Sequence, residues 1–203
     1  MKIHSWLLPE TDDILGLLRQ QFSAVTQSLA AIVQWSDGAT TTADVGDQLK
    51  RNSQAESDTR RALLLRVRAS FTTPIDAEDI FELSERVSAL QAAMNLLIRE
   101  ADALQISPDA GVASMIAVVA RAAPHLTDAL NALPSPVAAD HADACTDCLE
   151  RSEHAYATAS RSLIGADLLT EIRRRELYRR AEHITGTMLR LAHRTWYAVC
   201  KAS

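Results

Sequence analysis

Glycine and proline are scarce, six of each in 203 residues, and phenylalanine, tryptophan and tyrosine together make up only 4% of the chain. So few turn formers and aromatics suit a many-stranded sheet poorly, because strands favour aromatic and β-branched residues and tight hairpins need glycine. Cysteine is rarer still. Cys145, Cys148 and Cys200 are too few, and odd in number, for a disulfide framework, so the expected compartment is the reducing cytoplasm. An excess of positive charge is also missing. The net charge of −5 supplies no pull towards a phosphate backbone or an anionic membrane, so nucleic acid is not an expected partner. No run approaches the roughly 18 apolar residues of a membrane span. The short apolar stretch Trp6-Leu7-Leu8 has neither the length nor the small-residue cleavage site of a signal peptide.

What is present favours helix. Alanine, leucine, glutamate and arginine are abundant, and unbranched side chains lose little freedom in a helix. A hydrophobic fraction of 47% and a charged fraction of 23% belong to an ordinary globular protein. The expected fold class is all-α. Ile14, Leu18, Phe22, Val25, Leu29 and Ile32 recur every three or four residues, predicting a first helix from Thr11 to Trp35. A second covers Ala43 to Ser70. Phe71-Thr72-Thr73-Pro74-Ile75-Asp76 ends it, with Thr73 expected to cap the third helix and Pro74 to occupy its first turn. Ile80, Leu83, Val87, Leu90, Met94, Leu97, Ala101 and Leu104 then form an unbroken bundle seam. Ser107-Pro108 is expected to open the fourth helix, which Pro124 should kink or split near Ala123. A fifth helix is read from Val137 to Ile164. The last carries Leu177, Ala181, Ile184, Met188, Leu191, Thr195 and Ala198 on one face. Six helices with short connectors make two up-down-up three-helix bundles, residues 1–105 and 106–203.

Four stretches could carry chemistry. The inward stripe of the second helix, Val45, Leu49, Asn52, Glu56, Thr59, Leu63 and Val67, is polar in the middle. Glu56 and Asp58 with Gln54 therefore form a candidate cluster, the alternative being a solvated helix face. His141, Cys145 and Cys148 share one face, as metal ligands could, but two core thiols beside a satisfied histidine is the plainer reading. Arg173, Arg174, Arg175, Arg179 and Arg180 form the densest basic run, with Glu171 and Glu176 interleaved as in a salt-bridged helix surface. Trp196-Tyr197 is either an exposed aromatic contact or part of the core. No glycine-rich phosphate loop, nucleophile elbow or HExxH motif occurs, so no enzyme activity is expected.

Two stretches, Phe71-Thr72-Thr73-Pro74-Ile75-Asp76-Ala77-Glu78-Asp79-Ile80-Phe81-Glu82-Leu83-Ser84 and Arg174-Arg175-Glu176-Leu177-Tyr178-Arg179-Arg180 followed by Trp196-Tyr197-Ala198-Val199, resemble the PhoU-like phosphate transport regulators. These are accessory proteins often encoded beside Pit-type inorganic phosphate transporters. The first stretch is similar to the family's aromatic-[TI]-T-P-x-[DE]-x-E-D-[IL] junction, the second to its closing helix ending in W-Y-A-V, and weaker similarity runs from Trp6 to Lys201. The resemblance implies two pseudo-symmetric three-helix bundles, a cytoplasmic setting, self-association as a homodimer, and a role beside a phosphate transporter. Relatives in the wider group hold multinuclear metal clusters on E(D)xxxD motifs. Here the second helix reads Gln54-Ala55-Glu56-Ser57-Asp58, the third has Ser88 and Ala92 at the expected acids, and the last has Glu182 but Gly186. The acids the resemblance leaves for a divalent or ferric ion are Asp58, Glu150, Glu153 and Glu182. That set is thin for a hard cation, which takes several oxygen ligands.

The expected function is thus a non-enzymatic accessory or regulatory protein of inorganic phosphate transport. It would bind a Pit-type transporter or phosphate-response proteins by its helix faces, in the cytoplasm and, through its partner, at the inner face of the membrane. The alternative is a metal- or phosphate-binding bundle using the residual acids. A hydrolase has no supporting motif.

Overall fold

The computed structural model describes residues 13–202, which are helical apart from their connectors, with no β-strand among them. The predicted start at Thr11 and the stretch Trp6-Leu7-Leu8 lie outside the described residues. The helices are α1 (Ile14–Ser36), α2 (Thr42–Ala69), α3 (Ala77–Leu104), α4 (Ala110–Ala132), α5 (Val137–Leu149), α6 (Ser152–Arg161) and α7 (Leu168–Ala202).

Most helices start where a short acceptor side chain satisfies a free backbone N–H of the first turn. Asp13 accepts from Gly16 N at 2.7 Å, Thr41 from Asp44 N at 3.1 Å, and Asp167 from Thr170 N at 3.0 Å. Two starts differ from the sequence reading. The cap of α3 is Asp76, accepting from Glu78 N at 3.0 Å, and the cap of α4 is Asp109, accepting from Val112 N at 2.9 Å. In both places a carboxylate just after the proline displaces the Thr73-Pro74 and Ser107-Pro108 starts. Pro124 does not split α4, which continues from Ala110 to Ala132.

The expected fifth helix is two. The hydrogen-bond ladder breaks at Glu150 and Arg151, although both keep right-handed helical dihedrals. No proline, glycine or capping side chain marks that break, so periodicity passes straight through it.

Helices α1, α2 and α3 pack on one another, and α4 packs on α5, α6 and α7. The groups meet where α3 lies on α7 and α1 on α4, and one continuous apolar cluster runs through both. The seam residues from Ile80 to Ala101 and from Leu177 to Ala198 are buried in it. Helix α4 alone among the described helices has the length and mean hydropathy, 1.2, of a membrane span. Its stripe from Val112 to Leu130 is buried among its neighbours.

Candidate functional site

The polar stripe of α2 is a buried hydrogen-bonded layer. Glu56 is only 6% exposed, and its Oε1 accepts from Gln21 Nε2 and from Ser88 Oγ, both at 2.6 Å. Ser84 Oγ donates to Gln21 Oε1 at 2.9 Å, and Asn52 Nδ2 donates to Ser28 Oγ at 3.1 Å. Buried polar groups persist when bonded in this way, and the layer ties α1, α2 and α3 together. The solvated alternative fails for Glu56. It holds for the other two proposed members: Asp58 and Gln54 are exposed and bond to each other at 3.0 Å. Residues two apart on a helix point roughly 200° apart, so Glu56 and Asp58 cannot share a site.

Asp58 also faces Arg61 at 3.5 Å. Glu150 and Glu153 are exposed on either side of the α5–α6 break, and Glu182 is exposed on α7. Helix α2 packs on α1 and α3, whereas α6 and α7 belong to the other group, so Asp58 stands apart from the other three acids. Among the described residues no three His, Cys, Asp or Glu side chains stand close enough to hold a metal together. These side chains do not fit a multinuclear cluster. Cys145 is buried, Cys148 partly so. Burial, with a smaller contribution from Cys148, pushes the Cys145 thiol up to about 12, so it stays neutral as a core thiol does.

The basic run is largely neutralised. Arg175 pairs with Glu171 at 2.8 Å, Arg179 with Glu176 at 2.8 Å, and Arg180 bridges Glu176 and Glu100 at 2.6 and 3.3 Å. Arg174 lies 3.4 Å from Asp109, which also accepts from Tyr178 Oη at 2.7 Å. This part of the second resembling stretch bolts the start of α4 to α7.

The other two resembling segments meet. Asp79, in the first turn of α3, is 1% exposed and pairs with Arg194 of α7. Lys201 lies 2.8 Å from Asp76 and 3.6 Å from Asp79. Its hydrogen bond to Asp76 lowers the pKa of that carboxyl and raises that of the ammonium. Arg194 sits 5.0 Å from the Tyr197 ring centroid, within cation–π range. The start of α3 and the end of α7 are thereby fixed at one end of the molecule, with the α2–α3 connector beside them. Exposed aromatics collect there: Phe71 is fully exposed, and Phe81, Trp196 and Tyr197 are exposed by 44%, 41% and 50%. The exposed alternative for Trp196-Tyr197 is the observed one. Sequence reading missed Asp79 and Arg194. The signal was available, since Asp79 precedes Leu83 and Val87 by four and eight residues and so lies on the α3 seam.

No sequence-family model matches the chain, and no match to a curated protein reaches significance. Solved structures do match. One, designated a PhoU-like phosphate regulatory protein from Shewanella oneidensis MR-1, superposes with a TM-score of 0.75 at 13% identity, covering 93% of this chain and 100% of that one. Another, a PhoU-like protein from the same organism, gives a TM-score of 0.71 at 17% identity with the same coverage. At these identities the likeness speaks to architecture: the chain is all-helical and has the PhoU-like fold.

Proposed function

We propose that this protein is a non-enzymatic regulator of inorganic phosphate transport. In this reading it works in the cytoplasm, contacting a Pit-type transporter or a phosphate-response protein at the inner face of the membrane. The observation that carries the reading is the convergence of Phe71–Ser84 and Trp196–Val199 at the Asp79–Arg194 pair, which presents aromatic side chains to solvent. Exposed aromatic rings, Phe71 on the α2–α3 connector and Phe81, Trp196 and Tyr197 on helices, suit a protein interface, where Tyr, Trp and Phe are enriched. The fold of the PhoU-like neighbours supports it. Self-association as a homodimer belongs to the same reading.

The test is capture of the protein from cells that encode it, alongside phosphate uptake in a deletion strain. Recovery of a multi-span phosphate transporter or a phosphate-response component, lost with Phe71→Ser/Trp196→Ser at unchanged melting temperature, is expected. Capture of neither, with normal uptake in the deletion strain, overturns the proposal.

A further inference from the structure

A groove of about 480 Å³ runs between α2 and α3, away from the aromatic end. Lys50 from α2 and Arg99 from α3 both line it, both are exposed, and neither has an ion-pair partner among the described residues. No carboxylate lines it. In a chain of net charge −5, two unpaired cations facing one groove stand out.

The walls are ordered before any ligand arrives. Ser53 and Asn95 line the groove, Asn95 Nδ2 donates to Ser53 Oγ at 2.9 Å, and the buried Gln91 bonds both, at 3.1 and 3.2 Å. Leu49 and Ile98 supply an apolar flank. Gly46 also lines the groove. A Cβ there would meet only Ile98 Cγ2, at 3.9 Å, so packing does not require the glycine. Its absence of a side chain leaves the space open although glycine costs helix stability.

We propose that this groove binds a small organic phosphomonoester. The dianionic head lies between Arg99, whose guanidinium can take two oxygens at once, and the point charge of Lys50. The organic part lies on Leu49, Ile98 and the space above Gly46. The proposal stands independently of the transport role, because none of these residues belongs to the aromatic end.

Phenyl phosphate and inorganic phosphate are titrated into the full chain and followed by amide chemical shifts. Saturable phenyl phosphate binding is expected, with shifts confined to residues 46–54 and 91–99. Lys50→Gln and Arg99→Gln should each weaken it about tenfold, the loss of one charge-assisted contact. Gly46→Leu fills the groove with a better helix former, so it should abolish binding and melt no lower than the parent. Shifts scattered over the surface, binding indifferent to Lys50→Gln/Arg99→Gln or to Gly46→Leu, or equal affinity for inorganic phosphate would overturn the proposal.

Discussion

Asp79 is a carboxylate in an apolar seam, stable there because Arg194 and Lys201 reach it from α7. Removing one member of a buried pair strands the other, which costs far more than the pair contributes. Arg194→Met, which leaves Asp79 only Lys201 at 3.6 Å, should therefore destabilise the fold by about 3 kcal/mol, the low end for a broken buried pair. In a chain of this size that lowers the melting temperature by about 6–12 °C, read by circular dichroism. Tyr178 makes a pH prediction. Burial first, then its hydrogen bond to Asp109, raises its phenol to about 12, above the ordinary value of about 10. The unfolded chain thus loses this proton first, and stability present below pH 10 should drain away as the pH rises to 12. Melting curves across that window should flatten in Tyr178→Phe. At this scale the polar core was half legible. Glu56 announces itself by interrupting an apolar stripe, whereas its partners Gln21 and Ser88 arrive from other helices and appear only when the packing is known.

Helix identity followed from three-four periodicity wherever a seam faces the core, as in α3 and α7. Helix ends followed less well, because Thr73, Pro74 and Asp76 all favour a start and only the folded connector decides among them. The break between α5 and α6 had no residue to betray it. One end remains strained. Gln105 closes α3 in the left-handed region with φ of 52°, while Ile106 N bonds back to Ala101 O at 3.1 Å, as in a Schellman closure. That conformation costs a residue with a Cβ about 1 kcal/mol, and glycine adopts it freely. Gln105→Gly should raise stability by about 0.5–1 kcal/mol in urea titration, with an unchanged slope.

The two helix groups share one apolar cluster, and α3 and α7 lie on each other with ion pairs near both ends, Asp79–Arg194 and Glu100–Arg180. Calorimetry should record a single cooperative transition; two resolved transitions would mean that residues 1–105 and 106–203 fold as separate units. The joint between the groups was not legible in the sequence, since nothing in the period of either helix says which neighbour covers it. It also fixes when the aromatic end exists. Asp79 waits for a cation 115 residues further along the chain, so a nascent chain cannot complete that surface until the ribosome has released almost all of α7. A product cut short before Arg194 would carry an uncompensated carboxylate and an uncovered α3 seam. It would meet the cell's proteases and chaperones, so a chain lacking these turns of α7 could not present the aromatic surface at all.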